Sequence, residues 1–219
     1  MKDLKKKYNS KILNNTANEN IISISTDMKT KTISLIIAFS AIAIALNPII
    51  SRLAIPVLYL PNTGVVYQFF EIPIVAALFL LGLRSGLAVT VLNSVAMAFL
   101  FPGNFFLYPV VNFAAVTSMM IGISLAIRFY KGRVENPAIF RGKRIILIST
   151  AFGIILRILA TTPIWYGIVV TFYPDPSFAF FSTVIFPLQA LYNSTQALFT
   201  ITIAYFVAKR VSKNLKMDN

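Results

Sequence analysis

The chain contains no cysteine and no histidine, a single tryptophan, and 7 acidic residues against 20 lysines and arginines. Without cysteine there is no disulfide framework, no thiol nucleophile and no thiolate metal site. Without histidine the commonest metal ligand and general base is missing as well. No catalytic residue, cofactor or metal site is therefore expected, and transport, binding or scaffolding is favoured over catalysis. An intramembrane enzyme would have to rely on Glu71 or Asp175 as its acid or base.

Charge is scarce overall, at 12% of the 219 residues, and hydrophobic residues make up 57%. Soluble domains carry about 25% charged residues. Mean hydropathy is +0.76. The composition is that of an all-α integral membrane protein of the cell membrane. The net charge of +13 does not point to nucleic acid, because its placement is topological. Clusters in residues 1–31, from Arg128 to Arg144 and from Lys209 to Lys216 hold 17 of the 20 basic residues. Such clusters mark cytoplasmic edges and attract anionic lipid of the bilayer.

Residues 1–31 read as a polar cytoplasmic tail without fixed structure, 32–210 as a six-helix membrane domain, and 211–219 as a second cytoplasmic tail. The uncharged apolar stretches are Ile33–Ile50, Ile72–Leu83, Leu87–Phe101, Phe105–Ile127, Ile145–Phe172 (interrupted by Arg157) and Phe178–Ala208. The second and third are short against the roughly 20 residues a span requires, so short or tilted helices extending into Val65–Glu71 and Arg84–Gly86 are expected. Six transmembrane helices with both termini cytoplasmic put every basic cluster inside. Ser51–Gln68, Pro102–Asn104 and Tyr173–Ser177 then lie outside, with only Arg52 and Asp175 charged. Ala43-Ile44-Ala45 also resembles a signal-peptide cleavage site, which leaves removal of the first helix open.

The polar residues inside these stretches share a depth. Glu71, Arg157 and Gln196 each lie 13 residues from a cytoplasmic basic edge, about 20 Å at the helical rise. Asn112 and Asn193 lie 16 residues from theirs, about 24 Å. All five fall in the outer half of a hydrocarbon core about 30 Å thick. Gln189, Asn193, Gln196 and Thr200 are spaced i, i+4, i+7, i+11 and share one helix face, flanked by Tyr192. Arg157 and Thr161 share another face, with Trp165 one turn further out. Amides in such positions serve either as interhelical hydrogen-bond glue or as ligand contacts. Glu71 either pairs with Arg52 at the headgroup level or belongs to the buried layer. Arg157 must be met by Glu71, by the amides or by an anionic ligand. The expected substrate-binding set is Glu71, Asn112, Arg157, Trp165, Tyr192, Asn193 and Gln196, with the aromatic outer loop as a lid. Ser34, Ala38, Ala41 and Ala45 form a small-residue stripe on the first helix, suited to close packing inside the protein or against an external helical partner.

Two segments resemble a known family. "FEIPIVAALFLLGLRSGLAVTVLNSV" (residues 70–95) is similar to the acid-x-Pro segment, apolar run, glycine turn and Asn-bearing third helix of substrate-binding S components of energy-coupling factor (ECF) vitamin transporters. "FPLQALYNSTQALF" (186–199) resembles the final-helix segment of riboflavin-type members, and Ala41-x-x-x-Ala45 matches the motif the family uses to engage its transmembrane scaffold. The sequence departs from those members at Gln196, which stands where they have lysine. The resemblance covers residues 33–210 and implies high-affinity capture of a vitamin-like ligand, riboflavin first. It also implies partnership with a transmembrane scaffold protein and two cytoplasmic ATPases. The chain itself has no G-x-x-x-x-G-K-[ST] loop, so ATP chemistry would come from those partners. The alternative is a non-catalytic scaffold or morphogenesis protein of the MreD type.

Overall fold

The structure, a computed structural model, describes residues 29–47, 55–56, 66–100, 107–131, 143–172 and 184–215. Long apolar runs form helices, because in a helix nearly every backbone polar group is satisfied within the segment. The described residues hold six: α1 (residues 29–45), α2 (Glu71–Leu81), α3 (Leu83–Leu100), α4 (Leu107–Lys131), α5 (Lys143–Phe172) and α6 (Phe186–Asn214). A two-stranded antiparallel ribbon, β1 (Ile55–Pro56) and β2 (Val66–Tyr67), pairs Ile55 with Tyr67 and Pro56 with Val66.

Three segments, Leu83–Leu100, Leu107–Tyr130 and Arg144–Ile168, are long and apolar enough to cross a membrane. The others fall short for different reasons. α2 has 11 residues, about 16 Å. α6 has 29 residues, but its polar stripe makes it less apolar. The N-terminal extension expected for the second helix is not helical, because Val66–Tyr67 are held in the ribbon. The extension expected for the third is present, as α3 includes Arg84–Gly86. The tail boundaries also shift. Lys29–Lys31 already belong to α1. α6 runs on to Asn214, where Val211 packs against the core and Ser212 is buried. Residues 1–28 and 216–219 of the expected tails, and most of the expected outer loops, lie outside the described residues.

Neighbouring helices form a closed cycle, α2–α3–α4–α5–α6 and back to α2, with α4 and α5 sharing the most extensive interface. Glu71 and Pro73–Leu80 are all buried, so α2 is enclosed on every side. Its last turn ends at Gly82, whose φ of 88° is left-handed and lets the chain turn directly into α3. The α4–α5 crossing is equally demanding. A Cβ on Gly122 would collide with the Phe152 carbonyl and lie 3.0 Å from the Gly153 Cα, so the two backbones meet there without side chains between them. The apolar core gathers Ile74–Leu80 of α2, Val116, Met119, Met120 and Ile123 of α4, and Ala197, Ile201 and Ala204 of α6, with Phe39 and Ala43 of α1.

Phe39, Ser40 and Ala43 are the buried residues of α1, and Asn47 is buried just beyond its end. Ser34, Ala38, Ala41 and Ala45 are all exposed, beside Ile33, Ile37 and Ile42. The small-residue stripe thus turns away from the rest of the described protein.

Candidate functional site

Glu71 opens α2, where its carboxylate favours the positive end of the helix dipole. Arg157 sits midway along α5 and is 1% exposed, and Glu71 is fully buried. The two meet in a bidentate ion pair, with Arg157 Nη1 donating to Glu71 Oε2 and Nη2 to Oε1, both at 2.8 Å. Arg157 Nε donates to Asn193 Oδ1 of α6 at 2.8 Å, and a second Nη1 hydrogen reaches Met119 Sδ of α4 at 3.6 Å. Planar guanidinium and carboxylate groups match in this way, and the pairing is the strong form of a charge-assisted hydrogen bond.

The α6 stripe completes the layer. Thr200 Oγ1 and Gln196 Nε2 both donate to Glu71 Oε2, at 3.2 and 3.3 Å. Gln196 also clamps the chain ahead of α2. Its Oε1 accepts the Gln68 backbone N–H at 3.0 Å, and its Nε2 donates to the Gln68 carbonyl at 2.9 Å. Asn193 Nδ2 donates to the Gln189 carbonyl, and the Gln189 side-chain amide donates to Thr161 Oγ1. Two tyrosines fasten β2 to the same helix face. Tyr192 OH donates to the Val66 carbonyl at 3.1 Å, and Tyr67 OH donates to Thr195 Oγ1 at 3.3 Å. The Tyr67 ring lies 6.3 Å from Tyr192 and 6.2 Å from Phe199, and Phe69 meets Phe199 edge-on at 5.4 Å.

The expected site residues therefore separate into three groups. Glu71, Arg157, Asn193 and Gln196 form one network, with Tyr192 at its margin. Within it the amides of Asn193 and Gln196 are engaged by protein at both oxygen and nitrogen. Asn112 stands apart on α4. Trp165 is 37% exposed beyond Pro163, in the part of α5 where most side chains are exposed. Glu71 pairs with Arg157; Arg52, its other expected partner, lies outside the described residues, as does Tyr59 of the aromatic loop.

Gln68 belongs to the same polar layer and carries no pattern in the sequence that points to it. It is 4% exposed, and its backbone faces α6 while its side-chain Nε2 donates to Tyr108 OH of α4 at 3.1 Å. Asn112, one turn along α4 and 6% exposed, neighbours the same hydroxyl. Gln68 Oε1 is buried without a hydrogen-bond partner among the described residues. The available signal was a lone amide immediately before the aromatic pair that leads into Glu71. Among the described residues no group of three or more acidic side chains gathers as a metal site would require. In comparisons with known proteins, no family model, no curated protein and no solved structure matches this chain.

Proposed function

We propose that this chain is a multi-pass membrane protein with six transmembrane helices and cytoplasmic termini, acting as the substrate-capture component of an ECF-type transporter for a vitamin-like nutrient. The observation that carries this reading is the polar layer around Arg157. Ionisable groups are rare at membrane depth and mark substrate paths by default. Here they are gathered beneath an aromatic segment, residues 66–70, that leads in from the side expected to face outward. The ion pair neutralises its own charge and ties α2, α5 and α6 together, leaving the aromatic rings of residues 66–70 and the Gln68 amide oxygen to meet a ligand. The outward face of α1, alternating isoleucine with alanine, suits a transmembrane scaffold partner, and ATP hydrolysis belongs to separate cytoplasmic subunits.

The test is native mass spectrometry, with an absorbance spectrum, on protein purified in mild detergent. One stoichiometric small molecule is expected, and flavin absorbance would identify riboflavin. A second reading is favoured by a specific observation: Asn193 and Gln196 are engaged by protein at both ends, as interhelical glue would be. That is the chemistry of a membrane scaffold of the MreD type. Protein that purifies empty and binds no vitamin would establish it over capture.

A further inference from the structure

Exposed charge on the described helices has one sign. Glu71 is the only acidic residue among the described residues, and it is buried in its pair with Arg157. Every exposed charge among them is therefore a lysine or arginine, including Arg84 at the α2–α3 turn and Lys209, Arg210 and Lys213 near the end of α6. At the seam between α4 and α5, two such cations stand over an exposed apolar surface. Gly122 packs against Phe152 and Gly153 where the two helices cross. From that crossing Arg128 is six residues along α4 and Arg144 is eight residues back along α5, about 9 and 12 Å toward the basic end at the helical rise. The two exposed arginines thus stand at nearly one level on adjoining helices, whose axes pack about 8–10 Å apart. Phe129 and Leu147, beside them, are 78% and 74% exposed, and the Phe129 ring meets Phe152 across the seam at 6.3 Å. Leu147, Ala151, Ile155 and Leu159 follow Arg144 at i+3, i+7, i+11 and i+15, so one exposed apolar stripe runs along α5 from the arginine. From Arg144 to Ile155 it covers 11 residues, about 16 Å, the depth of one leaflet of a hydrocarbon core about 30 Å thick.

We propose that the α4–α5 seam is a binding site for an anionic phospholipid, its phosphate held between Arg128 and Arg144 and an acyl chain lying along Leu147, Ala151 and Ile155. The occupant follows from charge and position together. Guanidinium groups pair with phosphate oxygens through charge-assisted hydrogen bonds, and basic pockets between transmembrane helices on the cytoplasmic side take anionic headgroups. A zwitterionic lipid brings a cation of its own against the arginines. A free phosphate or an acidic protein segment would meet the arginines but not the apolar stripe beneath them. The site differs from the general attraction of basic clusters for the membrane, because it assigns affinity to two residues on one seam. It does not depend on the capture reading, and it would hold the α4–α5 pair in the inner leaflet of a scaffold equally well.

The experiment is a native mass spectrometry titration of the full-length chain in mild detergent with dioleoylphosphatidylglycerol, dioleoylphosphatidylcholine and the chainless headgroup glycerophosphoglycerol. The first phosphatidylglycerol should bind about tenfold or more tighter than phosphatidylcholine. Arg128→Gln combined with Arg144→Gln should bring the two lipids to near parity. Arg84→Gln combined with Lys213→Gln removes the same charge away from the seam and should leave the preference within about twofold of the parent. Equal loss in the two double variants overturns the site and reduces the effect to surface charge. Equal affinity of the unmodified protein for the two lipids also overturns it, assigns the arginines to an acidic protein partner, and needs no variant to fold. Displacement of phosphatidylglycerol by an equimolar amount of glycerophosphoglycerol would show an ion site without an acyl contact, which overturns it as well.

Discussion

The buried ion pair gives the sharpest prediction, because its two halves are expected to be far more costly to lose separately than together. Glu71 Oε1 and Oε2 accept four hydrogen bonds, two from Arg157 at 2.8 Å and one each from Thr200 and Gln196 at 3.2 and 3.3 Å. Glu71→Gln keeps the shape but turns an amide NH2 toward other donors and leaves the guanidinium without a counter-charge. Arg157→Met keeps much of the volume beside Met119 but leaves the carboxylate with Gln196 and Thr200 alone. Breaking a buried pair from either side costs about 3–5 kcal/mol, whereas replacing both partners with neutral groups is often near neutral. At roughly 2–4 °C per kcal/mol for a chain of this size, each single variant should melt about 6–20 °C below the parent. The double variant should recover most of that, so the coupling approaches the summed cost of the two singles, about 6–10 kcal/mol. Thermal unfolding of the detergent-solubilised protein, followed by size-exclusion chromatography of heated aliquots, measures all four species. Single variants melting within 1–2 °C of the parent, or a double variant at the sum of the singles, would refute the claim that the pair locks α2 to α5.

Three further outcomes follow from other contacts. Gly122→Ala should destabilise by about 1–3 kcal/mol, since its methyl group meets the Phe152 backbone, whereas Gly167→Ala, with nothing within 4 Å, should gain up to about 1 kcal/mol of helix propensity; parallel melting curves test the contrast. Gln196→Ala removes both side-chain bonds to the Gln68 backbone, so the Gln68 amide should exchange hydrogen about tenfold faster by mass spectrometry, and Tyr192→Phe, which frees the Val66 carbonyl but keeps both Gln68 bonds, should leave it near the parent rate. The absence of native cysteine makes topology directly testable: Asn62→Cys should react with an impermeant maleimide in intact cells and Lys213→Cys only after permeabilisation, and the opposite pattern would reject the proposed orientation.

The elements were legible wherever the sequence carried a period or a run. The i, i+4, i+7, i+11 stripe of Gln189, Asn193, Gln196 and Thr200 is buried along its whole length, from 8% exposure at Gln189 to 0% at Gln196 and Thr200. Equal spacing from basic edges singled out Glu71 and Arg157 together, and the two side chains form an ion pair. Depth says nothing of azimuth, however, so the same reasoning gathered Asn112 into one site with Asn193, although Asn112 faces Tyr108. Trp165 followed Arg157 and Thr161 by helical spacing, yet Pro163 intervenes and the outer part of α5 is largely exposed. Gln68 was illegible for a different reason. Its partnership with Gln196 spans 128 positions and joins a backbone outside any helix to a side chain, which leaves no periodic trace.

These contacts share a physical logic. In lipid no hydrophobic force drives one apolar helix against another, so register must come from close backbone approach and from polar contacts. Gly122 against Phe152 supplies the first between α4 and α5. Arg157, with Glu71, Asn193 and Met119, supplies the second across α2, α6 and α4. Gln196 then extends that polar register out of the helices, to the Gln68 backbone. The Gln68 side chain, whose oxygen has no hydrogen-bond partner among the described residues, is therefore tied to the same network that satisfies the charges.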